Sequence, residues 1–216
     1  MNSTDVRRRW ADRSGEYSPA YYAYYGPNET SDVILERLER HVGREASVLE
    51  LGCSSGRHLA HLHEHGFENL TGIDLNTDAF DVMAESYPEV AAEAEFYRDA
   101  IEDVVVDLET DGFDAVYSVE TLQHLHPDVE WVFDELARIT ADTLVTAEIE
   151  RDADEAGADG ARSDEPAVNY VDDAFPLYYR DWNDVFTDRG FRQVDVTTTR
   201  RDCVRAFRRT NASDGR

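Results

Sequence analysis

The stretch Val48-Leu49-Glu50-Leu51-Gly52-Cys53-Ser54-Ser55-Gly56-Arg57 decides how the chain is read. A short apolar run ends in a turn of small residues, and residues 57–64 continue from that turn with helical spacing. Small side chains suit such a turn because the backbone reverses sharply and, at a ligand site, must come within contact of what it holds. Glu50 stands two residues before Gly52, an acid inside an apolar run.

Outward from this turn, apolar runs alternate with amphipathic stretches, the pattern of a parallel sheet flanked by helices. Strands are predicted at 47–51, 70–74, 95–98, 113–119, 143–148, 191–198 and 203–208. Helices are predicted at 32–42 behind Ser31 as N-cap, and at 57–64, 77–86, 127–139 and 180–189. The fold class that follows is α/β, a seven-stranded doubly wound sheet, mostly parallel with an antiparallel final strand. The last two strands, joined by a short Arg-Arg-Asp connection, are expected to form an antiparallel edge pair. The length suits one domain over 1–216, in which 151–168, acidic and without periodicity, reads as a mobile insertion.

At Glu50, Gly52 and Gly56 the chain resembles class I S-adenosylmethionine (SAM) dependent methyltransferases, whose first motif is hydrophobic, hydrophobic, Asp/Glu, any, Gly, any, Gly, any, Gly. Ser54 stands where the middle glycine belongs. The competing dinucleotide fingerprint, G-x-G-x-x-G, would need glycines at Ser54 and Arg57. The resemblance implies a Rossmann-like fold and SAM as cofactor, bound by Glu50, Gly52, Cys53, Ser54 and Gly56 at the turn. It gives Asp74 of Gly72-Ile73-Asp74-Leu75-Asn76, with Leu75 beside it, the ribose hydroxyls. It gives Asp99 the adenine amino group, with Ala100 and Ile101 lining the ring. Ser118, on the strand 113–119, lies beside the transferred methyl by the same resemblance, and the loop Thr121-Leu122-Gln123-His124-Leu125 follows.

Methyl transfer from a sulfonium needs mainly alignment, and a base only where the nucleophile carries a proton. His124 is the leading candidate for that base, because it follows the fourth strand and titrates near neutrality; Glu120 and His126 stand behind it. Tyr21, Tyr22 and Tyr25, in a tyrosine-rich segment within 1–30, are the candidate substrate-facing side chains of a lid. The aromatic group Phe175-Pro176-Leu177-Tyr178-Tyr179 could form the opposite wall or belong to the core.

The chain holds 47 acidic against 21 basic residues, a formal charge of −26, and every basic residue is arginine. This balance resembles proteins from organisms with molar internal salt, where the Debye length falls to about 3 Å and self-repulsion is screened. It argues against nucleic-acid and anionic-membrane partners, since the arginine clusters 7–9, 200–201 and 208–209 are too short to reverse it. Two cysteines make no disulfide framework, and neither a signal segment nor an apolar membrane span is legible, so a cytoplasmic location is expected. His58, His61, His63 and His65 lack the Cys or acid ligands that would complete a metal site, so no metal is expected. The function expected is methyl transfer to a small-molecule acceptor; the alternatives are a protein methyltransferase and a non-catalytic SAM-binding subunit. Oligomeric state and acceptor atom are not legible.

Overall fold

The computed structural model describes residues 2–150, 166–171 and 175–210. Three helices come first: α1 (Ser3–Ala11), α2 (Pro19–Tyr25) and α3 (Glu29–His41). Then follow β1 (Val48–Leu51), α4 (Arg57–Glu64), β2 (Leu70–Ile73), α5 (Asp78–Ser86), α6 (Pro88–Glu93), β3 (Glu95–Tyr97), α7 (Ile101–Val104) and β4 (Phe113–Val119). The chain continues through α8 (Val132–Ile139), β5 (Thr140–Glu148), β6 (Ala167–Val171), β7 (Phe175–Tyr179), α9 (Trp182–Thr187), β8 (Phe191–Thr198) and β9 (Cys203–Arg209).

Seven strands form one sheet in the order β3-β2-β1-β4-β5-β9-β8, and β6 pairs with β7 in a separate hairpin. The pairs from β3 to β5 are parallel, whereas β9 runs antiparallel to both β5 and β8. The final strand therefore lies inside the sheet, and β8 is the edge. Helices cover both faces, giving two cores. Leu38, Leu62, Phe67 and Met83 pack on one side; Phe133, Leu136, Trp182, Phe186 and Phe207 pack on the other. The central strands are buried on both faces, which is why they read as continuous apolar runs with no alternation.

The strands of the main sheet fall where the sequence places them; the differences sit at helix ends and in elements that were not expected, α1, α2, α6, α7 and the hairpin strands β6 and β7. The helix expected at 32–42 begins at Glu29, because Asn28 caps it: Asn28 Oδ1 accepts from Ser31 N at 3.3 Å while Ser31 Oγ accepts from Asn28 N at 2.9 Å. Ser31 is thus the reciprocal partner and not the cap. The helix expected at 127–139 breaks into a short 3-10 turn, Pro127–Val129, and α8. The one expected at 180–189 shortens to α9, capped by Asp181, whose carboxylate accepts from Asp184 N at 3.1 Å. Of the expected insertion at 151–168, residues 151–165 lie outside the described residues, while Ala167 and Val168 open the hairpin strand β6.

The order β2-β1-β4 places a topological switch at β1, whose neighbours continue to opposite sides of the sheet. In open α/β sheets a crevice forms outside the carboxyl ends of strands at such a point.

Candidate active site

At the end of β1 the chain turns through three left-handed residues, Gly52 (φ +70°), Ser54 (φ +47°) and Gly56 (φ +76°). A Cβ on Gly52 would lie 2.3 Å from Thr121 Oγ1, so only glycine fits beside the loop that follows β4. Ser54 takes a conformation that costs an L-residue about 1–2 kcal/mol. Asp74 offsets that cost: its Oδ2 accepts from Ser54 N at 2.7 Å and its Oδ1 from Asn76 N at 2.8 Å. One carboxylate at the end of β2 thereby ties both strand-end turns together. Burial pushes that carboxyl above its ordinary range, against the pull of these backbone donors.

These turns open on a cleft of about 1040 Å³, counted with its open mouth. Of the residues that the sequence reading assigns to the cofactor, Gly52, Cys53, Ser54, Asp74, Leu75 and Ile101 line it. His124 and Tyr22 line it as well.

The other assigned residues lie off the cleft wall. Glu50 is fully buried in β1 opposite Tyr117 of β4, and the two side chains interact with each other inside the core. Burial pushes both groups well up, against the pull of Arg57 on Glu50. Gly56 backs onto Met83, and Ser118 donates to Glu148 Oε1 at 2.6 Å. Asp99 is exposed and accepts from Ala100 N at 2.8 Å, while Ala100 is buried. Tyr21 packs among the rings of Tyr17, Tyr22 and Tyr25, and Tyr25 is 62% exposed.

Helix α1 went unread in the sequence, yet Val6, Arg7 and Trp10 line the cleft from it. Asn76 Nδ2, at the end of β2, holds it by donating to Trp10 O and Arg13 O, each at 3.2 Å. The Trp10 ring sits 4.7 Å from that of His124 and 4.5 Å from that of Phe175. Arg7 pairs with Asp103 at the far side. A signal was available: Asn2 caps the helix through Asp5 N at 2.9 Å, and Val6 and Trp10 are four residues apart.

The loop after β4 completes the site. Glu148, fully buried at the end of β5, accepts from Ser118 Oγ and from three successive backbone amides: Thr121 at 3.4 Å, Leu122 at 3.1 Å and Gln123 at 3.2 Å. Burial still carries its carboxyl up to about 7. Gln123 Oε1 accepts from Ile149 N at 2.7 Å, which turns its amide nitrogen toward His124 Nε2 at 3.4 Å. His124 donates from Nδ1 to Pro176 O at 2.8 Å, and burial pushes it down to about 4. It is thus a neutral imidazole whose remaining lone pair already faces an amide donor.

Arg57 enters the cleft from the first turn of α4, its guanidinium carbon 4.6 Å from the Tyr22 ring centroid and its Nε donating to His58 Nε2 at 3.2 Å. His58 in turn donates from Nδ1 to Ser31 Oγ at 2.8 Å. Glu120 lies on the same wall, in the left-handed region at φ +47°. The other helix histidines turn outward to acids: His61 reaches Asp32 at 3.1 Å and His63 reaches Glu93 at 2.9 Å.

Comparison with known proteins bears on this geometry. Residues 48–143, from β1 into β5, match the family described as a methyltransferase domain. The O-antigen chain terminator bifunctional methyltransferase/kinase of Escherichia coli is 34% identical over 104 residues, which take in 45% of this chain and 14% of that protein. The chain thus spans a small part of that relative's length. An O-methyltransferase of Penicillium expansum is 24% identical over 83% of this chain and 66% of that protein. Among solved structures, Burkholderia thailandensis 1,6-didemethyltoxoflavin-N1-methyltransferase, with S-adenosylhomocysteine (SAH) bound, superposes with a TM-score of 0.65 at 18% identity, covering 97% of this chain and 84% of that one. Magnesium protoporphyrin IX methyltransferase of Synechocystis, with SAM bound, gives 0.63 at 16% identity over 94% and 90%. Residues 48–143 are therefore similar in sequence to methyltransferase domains, and the described chain shares the fold of these enzymes.

Proposed function

We propose that the protein is a SAM-dependent methyltransferase acting on a small-molecule acceptor. The observation that carries this reading is Asp74, a carboxylate on the cleft wall at the end of β2 that also holds the glycine-containing turn of β1 in place. Several features of the cleft fit the cofactor. Gly52 lets the turn pack directly against Thr121 while it lines the cleft. Asp74 keeps lone pairs for ribose hydroxyls beyond its two backbone donors, and Leu75 and Ile101 offer apolar contact to a purine ring. When bound, SAM supplies a methyl group already activated by its sulfonium charge.

The chain's own residues then position and enclose. The 52–56 turn and Asp74 orient the nucleoside and its amino-acid end, while Trp10 and Val6 of α1 exclude water from above. In this reading residues 1–30 form a lid through α1 and Tyr22, and the whole chain works as one domain. A cleft roofed by a helix suits a compact acceptor.

Titration calorimetry in high-salt buffer tests the reading. SAH is expected to bind with one site per chain. Asp74→Ala is expected to weaken binding about 100-fold, the loss of two hydrogen bonds to a charged acceptor. Asp74→Asn, which keeps one acceptor oxygen for the turn, should fall between. Equal affinity in all three proteins would contradict the assignment.

A further inference from the structure

The end of the cleft formed by Tyr22, Arg57 and Glu120 contains a pair of acids that the sequence places far apart. Glu120 closes β4 with its side chain 17% exposed, and Asp202 comes from the turn between β8 and β9 at 3% exposure. Asp202 Oδ2 accepts the Thr30 hydroxyl at 3.0 Å, but among the described residues its buried Oδ1 meets no donor at hydrogen-bond geometry. A buried carboxylate oxygen lacking a donor is costly, and a proton carried by a neighbouring carboxyl would satisfy it.

Glu120 is that neighbour. The groups that face it are Asp202, Arg201 with its guanidinium nitrogen 3.2 Å from Glu120 Oε2, Arg57 from α4, and the Tyr22 hydroxyl from α2. Burial first, and then the charge of Asp202, push the Glu120 carboxyl up to about 7 against the two arginines, and Asp202 is raised as well. Two carboxyls so placed hold one proton between them near neutrality.

Resting on the methyltransferase reading, we propose that Glu120, once the proton it shares with Asp202 has left, is the catalytic residue that takes the proton from the acceptor, so that the acceptor is a hydroxyl or amine compound. As the acceptor's oxygen or nitrogen lone pair forms the bond to the methyl carbon, the carbon–sulfur bond breaks and its electron pair stays on sulfur. The O–H or N–H proton passes to Glu120 and leaves to water past Arg201, which is half exposed. Carboxylate and thiolate acceptors arrive without that proton and have no use for the pair. His124, at about 4, is too weak a base for the same task.

Two measurements test this. In the free protein, carbon-13 titration of labelled side-chain carboxyls is expected to show groups titrating near 7; Glu120→Gln removes one of them, and Asp202→Asn moves it down. With methyl-labelled SAM and a panel of phenols, alcohols, amines, carboxylic acids and thiols, label is expected only in the hydroxyl or amine members. Glu120→Gln should lower that rate about 100-fold and abolish its rise with pH around neutrality, with SAH affinity unchanged. Label confined to acids or thiols, label in no member while SAH still binds, or a Glu120→Gln protein that keeps rate and pH profile would overturn the proposal. Failure of SAH to bind at all would strike the methyltransferase reading instead.

Discussion

Gly52→Ala is expected to remove SAH binding to below detection and to lower stability by about 2–4 kcal/mol. Two separate effects add up. The backbone at φ +70° costs an alanine about 1–2 kcal/mol, and its Cβ would come within 2.3–2.9 Å of the Thr121 side chain atoms Oγ1, Cγ2 and Cβ. Thr121 cannot simply move aside, because its amide is tied to Glu148 and its hydroxyl donates to Val119 O at 3.0 Å. The turn must shift instead, taking Ser54 N away from Asp74. Combining Gly52→Ala with Thr121→Gly removes all three contacting atoms and leaves only the backbone strain. That double variant should recover part of both stability and SAH affinity, measured by thermal melts and calorimetry. A single variant that binds SAH normally would show that the turn does not depend on this close approach.

Glu148→Ala is expected to be the most destabilising of the conservative-sized changes around the site, by about 3–5 kcal/mol. It would leave three backbone amides and the Ser118 hydroxyl without their acceptor inside the sheet edge. Glu148→Gln behaves differently, because an amide oxygen in the place of Oε1 still accepts from Ser118, Thr121 and Leu122, and only the Gln123 amide is left facing the nitrogen. The sign of the pH dependence follows from the direction of the shift. Glu148 is raised from 4.5 to about 7 in the folded chain, so the folded state binds the proton more tightly than the unfolded one. The stability penalty is therefore fully present above about 7, shrinks as pH falls, and is gone near the unfolded value. A shift of that size corresponds to about 3 kcal/mol. The wild-type chain should melt at a higher temperature at pH 6 than at pH 8. Glu148→Gln should reduce that difference, leaving the share carried by Glu120, which is also raised to about 7. A wild-type and Glu148→Gln pair with parallel pH profiles would show that Glu148 titrates outside this range.

What was legible in the sequence follows the range of the interactions involved. The strands β1, β2, β4 and β5 are buried on both faces, so their apolar runs identify them without reference to neighbours. The turn at 52–56 is local too, since its backbone demands small residues at fixed spacing. Which acids reach the cleft was less legible. Glu50 belongs to the same motif as Gly52, but its register opposite Tyr117 turns it into the sheet. Asp74 and Asp99 both follow strands, yet only Asp74 finds a turn to bridge.

Pairings across long stretches of chain left no local trace. Glu120 and Asp202 meet only because β9 lies beside β5, and Glu148 reaches the 120–124 loop only because β4 and β5 end together. The N-terminal helix α1 was missed for another reason. Its sequence is rich in arginine, and its buried side rests on Val6 with the half-buried Trp10 beside it, too few apolar residues to announce an amphipathic face.

The most direct test of the account is a crystal structure of the protein with SAH soaked in. The ribose hydroxyls are expected on Asp74, the adenine against Leu75 and Ile101, and the sulfur facing the end of the cleft where Glu120 and Tyr22 stand. A nucleoside seated anywhere other than on Asp74, or turned so that its base meets Glu120, would contradict it.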